Sequence, residues 1–212
     1  MIFSKHSRVH KISKSVKPAH AAYAEPLSCA LHAVERANIK NTDVVVVAGC
    51  GPIGLGMISG AAVKKPAILI ALDLDDRKLA VAKECGATLT INIGRENAIE
   101  IVKELTEGYG ADIYLEGTGH PSAVAQGLQI LRKLGTFVLY SVFKEDVTVD
   151  WSIISDDKEL DVLGRRNRKG APDTFDANGY AALLQRIATS NDDVYFPVFH
   201  REIEESIAAE GV

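Results

Sequence analysis

Hydrophobic positions change their period several times along the chain, and each change outlines an element. Leu27 to Ala37 (LSCALHAVERA) puts Leu27, Ala30, Leu31 and Val34 on one face and Glu35 and Arg36 on the other, which predicts a short amphipathic helix. Asn41-Thr42-Asp43 supplies turn chemistry ahead of the run VVVVAG. An unbroken β-branched run of this kind predicts a central parallel strand covered on both faces. Ile53 to Val63 is rich in small and apolar residues and stops at Lys64-Lys65-Pro66, where proline cannot extend a helix and lysines suit its C-terminus.

A second strand is expected over Ala67–Leu72, and the pattern then repeats: helix Asp75–Cys85, strand Thr88–Ile91, helix Glu96–Glu107, strand Asp112–Glu116, helix Pro121–Lys133, strand Thr136–Ser141. Gly86 and Gly135 stand where helix C-caps are wanted. Alternation at this pace predicts an α/β fold, a doubly wound parallel sheet of the Rossmann type. From Arg165 the pattern breaks into the basic, turn-rich stretch RRNRKGAPDTFD, then one helical pattern, Tyr180 to Ala188, and a short aromatic strand candidate, Val194 to Phe199. A boundary is therefore expected near Gly164, giving residues 1–39 as a lead-in with a connecting helix, 40–164 as the Rossmann domain and 165–212 as a separate segment.

Composition narrows the classes. At 212 residues and 47% hydrophobic, the chain is long and apolar enough for a buried core. The net charge of −4 is spread evenly, and no basic patch marks a nucleic-acid partner. Cys29, Cys50 and Cys85 are far apart with no C-x-x-C pair, so a disulfide framework or structural zinc cluster is not expected and a cytoplasmic location fits. No apolar run approaches the ~20 residues of a membrane span, and the first residues are too polar for a secretory signal. Lys5, Arg8, Lys11, Lys14 and Lys17 recur at three-residue spacing, as in a targeting helix; the interleaved Val9, Ile12, Val16 and Pro18 fit an extended, half-buried segment better.

The sharpest signal is Gly49-Cys50-Gly51-Pro52-Ile53-Gly54, a G-x-G-x-x-G turn that leaves a strand, opens a helix and is followed 19 residues later by Asp73 at the end of the next strand. Gly49 makes the tight turn, Gly51 lets a diphosphate approach the backbone, and Gly54 permits close helix-to-strand packing. Pro52 fixes φ favourably at the helix start, where the N–H groups of the first turn face an anion. Asp73 either accepts both hydroxyls of an adenosine ribose, which selects NAD over NADP, or serves as a helix N-cap ahead of DDRKL.

These residues resemble the zinc-dependent medium-chain alcohol and polyol dehydrogenases, particularly the branch acting on threitol, erythritol and similar sugar alcohols. The resemblance covers residues 1–164 and rests on EPLSCALHAVERANI, VVVVAGCGPIGLGM, ALDLDDRKLAVAKECGA, DIYLEGTGHPSAV, LRKLGTFVLYSVF and VTVDWSIISDDKELDVLG. It implies NAD-dependent oxidation of a secondary alcohol of a polyol to a ketone. It also implies that Lys78 helps hold the adenosine ribose, that Thr118-Gly119 and Ser141-Val142-Phe143 line the nicotinamide half, and that Glu25 lies beside a catalytic zinc. The family's cysteine and Gly-His-Glu zinc ligands have no counterpart in this sequence, so the metal site is expected to be incomplete and the chain inactive alone. The partners implied are a polyol, with a second copy of the chain or a separately encoded catalytic domain, and neither nucleic acid nor membrane. A free-standing dinucleotide-binding module and an inactive fused fragment are the alternatives. Residues 168–212 resemble instead a middle segment of P-loop kinases of the pantothenate and uridine kinase type, although the chain has no G-x-x-x-x-G-K-[ST] loop.

Overall fold

The computed structural model describes residues 18–164, in which helices and strands alternate from the first glycine turn onward. α1 (Pro18–Ala37) leads into β1 (Val44–Ala48), α2 (Pro52–Lys64), β2 (Ile68–Asp73), α3 (Asp76–Glu84), β3 (Leu89–Asn92), α4 (Ala98–Leu105), β4 (Ala111–Glu116), α5 (Pro121–Ile130), β5 (Leu131–Leu139) and β6 (Asp161–Gly164). The strands form one parallel sheet in the order β3-β2-β1-β4-β5-β6. The order reverses direction between β1 and β4, so the crossovers leaving these neighbours diverge and open a crevice at their C-terminal ends. The compact unit holding the sheet spans Pro26–Arg166.

Successive residues of a strand point to opposite faces, and both faces here are covered, which is why β1 reads as continuous valine. On one face Val46, Ile70, Leu72, Tyr114 and Phe137 pack with Ala98 and Val102 of α4 and Val124 and Leu128 of α5.

 Ala48 belongs to the same face, and the Tyr114 and Phe137 rings lie 5.1 Å apart at their centroids. The Tyr114 hydroxyl donates to the Ala123 carbonyl at 2.9 Å, and burial, helped by the nearby Glu116 carboxylate, pushes its pKa upward. On the other face α2 lies against β1 and β2, and α3 against β2 and β3.

Several boundaries differ from the sequence expectation, each for a physical reason. α1 starts at Pro18 and carries Pro26 inside it, whereas the periodicity gave Leu27–Ala37 and an extended Pro18. Proline at a helix start loses no bond, so Pro18 opens the helix. Gly86 is the expected cap: at φ +110 it donates to the Lys83 carbonyl while Ala87 donates to Ala82. Gly135 is not, because α5 stops at Ile130 and Gly135 lies inside β5. The Lys158 ammonium ends α5 by donating to the carbonyls of Leu128 (2.6 Å), Gln129 (3.0 Å) and Leu131 (2.6 Å). β6, which the periodicity did not predict, exists through its pairing with β5. The basic run of residues 5–17 and the elements expected after Arg165 lie outside the described residues.

Candidate functional site

The glycine turn sits at the C-terminal end of β1, beside the point where the strand order reverses. Gly49 adopts φ +90, which a residue with a Cβ rarely takes, and its N–H donates to the Leu72 carbonyl at 2.8 Å. A Cβ on Gly54 would stand 1.8 Å from the Gly49 carbonyl oxygen, so helix and turn approach as closely as they do only because hydrogen fills that place. Gly51 is different. Its backbone is extended (φ −72, ψ −179), and a Cβ there would meet nothing within 4 Å. Open space therefore lies over the N-cap of α2, with Pro52 and Ile53 following, no side chain capping the helix and no acid in its first turn. An anion fits these features: the helix end is positive and the backbone is bare.

Asp73 ends β2 next to this turn. Its Oδ2 accepts the Cys50 N–H at 2.7 Å, and its Oδ1 accepts from Leu74 (2.7 Å) and Asp75 (2.9 Å). The N-cap of α3 is Asp75, not Asp73, and it accepts from the Arg77 N–H at 2.9 Å. Hydrogen bonds from Arg77 hold the Asp75 carboxyl below its ordinary pKa, and Lys78, half-buried in the first turn of α3, adds a smaller pull in the same direction. Asp76 is held at a pKa of about 2 by the Arg95 guanidinium first and Asn92 second. The carboxylates around Asp73 are thus tied to cations or amides of their own.

On the far side of the crevice β4 ends at Glu116 and turns through Gly117, Thr118 and Gly119. The Thr118 methyl lies 2.9 Å from the place a Cβ on Gly49 would occupy, which brings this turn against the glycine turn. A side chain on Gly119 would come within 2.8 Å of the Val142 carbonyl oxygen, so the segment after β5 joins them. Ser141 is half-buried and donates through Oγ to the Glu116 carbonyl at 3.3 Å. Val142 is exposed, and Phe143 packs against the core. Glu25 falls within α1, and its side chain lies outside the described residues. Sequence reasoning missed Glu116 itself. The available signal was an acid closing an apolar strand directly before Gly-Thr-Gly, the same position that Asp73 holds on β2.

Among the described residues, no group of three or more His, Cys, Asp or Glu side chains is arranged to hold a metal ion, and the described residues do not fit a zinc site. Cys29, Cys50 and Cys85 are not joined in disulfides. Among the described helices, none is long and apolar enough to cross a membrane.

A six-stranded parallel sheet with its order reversed beside a glycine turn defines a doubly wound, dinucleotide-type α/β domain. The profile described as zinc-binding dehydrogenase matches residues 52–186, and the chain belongs to that family. The erythritol/L-threitol dehydrogenase of Mycolicibacterium smegmatis (strain ATCC 700084 / mc(2)155) is 65% identical over 164 residues, which are 77% of this chain and 45% of that protein. The sorbitol dehydrogenase of Halalkalibacterium halodurans is 35% identical over 172 residues, 80% of this chain and 50% of that one. Among solved structures, a putative zinc-binding dehydrogenase from Sinorhizobium meliloti 1021 bound to NADP superposes with a TM-score of 0.73 at 29% identity, covering 85% of this chain and 52% of the other. The chain spans about half the length of the curated relatives it matches.

The resemblance of residues 168–212 to P-loop kinases is not upheld. The dehydrogenase match continues to residue 186, across the start of that segment. A stretch with one helical pattern and one strand candidate carries too little periodic information to specify a fold by itself.

Proposed function

We propose that the chain binds NAD across the crevice at the ends of β1 and β4, as the cofactor-binding part of a dehydrogenase that oxidises a secondary alcohol of a polyol to a ketone. The observation that carries the reading is the bond from the Cys50 N–H to Asp73 Oδ2, which fastens a carboxylate to a glycine turn whose Gly51 is open to a ligand. Gly49, Gly51, Pro52, Ile53 and Gly54 face the diphosphate, and Asp73 accepts the adenosine ribose hydroxyls with Lys78 nearby. Thr118, Gly119, Ser141, Val142 and Phe143 line the nicotinamide half. Nicotinamide, when bound, supplies hydride acceptance; the chain's own task is to bind the dinucleotide and orient it.

The relatives named for erythritol, threitol and sorbitol support a small polyol as substrate. Residues 40–164 are the dinucleotide-binding unit on this reading, Glu25 belongs to the substrate end, and cysteines outside disulfides fit a cytoplasmic setting. Catalytic zinc and its remaining ligands come from outside the described residues, from a further domain or partner chain.

Titration with NADH and NADPH by cofactor fluorescence tests the assignment. The Asp73 carboxylate repels a 2′-phosphate, so NADH binds more tightly, and Asp73→Ser narrows the difference. Equal affinities, or a preference for NADPH, would reject the ribose role of Asp73.

A further inference from the structure

Glu116 is fully buried, yet among the described residues only one of its carboxylate oxygens has a hydrogen-bond partner. Oε1 accepts three hydrogen bonds, from the Thr118 N–H (2.7 Å), the Thr118 hydroxyl (2.5 Å) and the Gly119 N–H (2.9 Å). Its main-chain carbonyl accepts from the Tyr140 N–H at 3.2 Å and the Ser141 hydroxyl at 3.3 Å. One residue therefore fastens the turn after β4 through its side chain and the segment after β5 through its backbone. That turn in turn stands against Gly49 on one side and Val142 on the other.

We infer that Glu116 is a positioning residue of the dinucleotide crevice, setting the turn Gly117–Gly119 that holds the nicotinamide half against the glycine turn. The inference rests on the cofactor reading above. Stability alone is a poor reason for a carboxylate here, because burying a charged oxygen without a partner is costly and an apolar side chain would avoid that cost. What the carboxylate adds is geometry: one oxygen gathers two backbone N–H groups and a hydroxyl, fixing consecutive residues of the turn at once. Gly119 at φ +71 completes the turn, bringing its backbone against the Val142 carbonyl.

The test compares NADH with ADP, which occupies the adenosine and diphosphate half alone, on the full chain carrying Glu116→Ala, Glu116→Gln or Thr118→Val. Affinities come from fluorescence and calorimetry well below each variant's melting temperature. Glu116→Ala should weaken NADH by about tenfold or more while weakening ADP by less than about threefold, the loss expected when charge-assisted bonds to the turn disappear. Glu116→Gln, which retains an acceptor oxygen, should stay within about threefold of wild type for NADH, since it can still gather the same donors. If Glu116→Ala does not fold, Thr118→Val removes the hydroxyl bond to Glu116 together with the one accepted from the His120 N–H, and should still shift the NADH to ADP ratio; an unchanged ratio overturns the inference. Equal losses for NADH and ADP would show a merely structural role and overturn it as well. Wild-type protein that binds neither ligand overturns the cofactor reading and this inference together, whereas wild-type binding with an unaltered Glu116→Ala variant overturns this inference alone.

Discussion

The two ends of the same sheet treat polar groups in opposite ways. At the N-terminal ends of the strands, Asp112 accepts the Val44 N–H through Oδ2 at 2.7 Å and the Arg132 guanidinium through Oδ1 at 2.6 Å. Lys158 closes the carbonyls at the end of α5, and its own carbonyl accepts the Leu134 N–H at 2.7 Å. At the C-terminal ends a Cβ at Gly51 would meet nothing within 4 Å, and a buried carboxylate oxygen of Glu116 has no hydrogen-bond partner among the described residues. At one end the named polar groups are engaged with one another; at the other, Asp73 and Glu116 Oε1 are engaged as well, but the second Glu116 oxygen and the space over Gly51 stay open. Stability and binding are thereby separable, and substitutions at the two ends should not have the same consequences.

The largest effect is expected within the glycine turn itself. Gly54→Ala forces a methyl carbon to 1.8 Å from a backbone oxygen, where no side-chain rotation relieves it. We expect a loss of about 3 kcal/mol or more, read as a fall in melting temperature or failure to recover folded protein, with NADH binding abolished. Gly51→Ala meets nothing within 4 Å. Its melting curve should match wild type to within about 0.5 kcal/mol, while NADH affinity falls by about tenfold or more. Retained affinity in that variant would show that the ligand does not pass over Gly51.

A smaller effect is expected at the opposite edge. Lys158→Met removes three bonds to carbonyls from a half-buried ammonium, and should destabilise the protein by about 1–2 kcal/mol in urea unfolding without altering NADH affinity. Burial and the neighbouring Lys103 push the Lys158 pKa down, while the carbonyls at the negative end of α5 favour its charged form. A parallel loss of NADH binding would join the two edges that the structure separates.

The smallest effect concerns Asp76, exposed and held at a pKa of about 2 by Arg95 and Asn92. Its folded pKa lies below the ordinary carboxylate value of about 3.9, so its contribution is complete above that value and is lost as pH falls through about 2. Melting temperature measured between about pH 4 and pH 2 should therefore fall less steeply in Asp76→Asn than in wild type. Identical slopes would remove Asp76 from the acid response.

The glycine turn, α2 and Asp73 were legible because their signals are local: a β-branched strand, glycines at fixed offsets, and an acid at the end of the next strand. The end of α5 was not. Leu131, Arg132 and Lys133 all suit a helix, and the residue that stops it lies 27 to 30 positions away from the carbonyls it binds. β6 is four residues long and mostly exposed, so no buried face imprinted a period on its sequence. Beyond its place at the strand end, nothing local in DIYLEGTG distinguishes Glu116, because its complete burial and its three donors are properties of the folded turn.

Asp73 has a kinetic consequence. Its two oxygens already accept three backbone N–H groups, so the side chain loses its rotational freedom when the protein folds. A donor arriving at this carboxylate meets an immobile target and need not freeze it, which removes an ordering cost of about 0.5–1.5 kcal/mol per side chain from association. Encounter then requires no rearrangement of Asp73, and differences in affinity among ligands that reach it should be expressed in how slowly they leave.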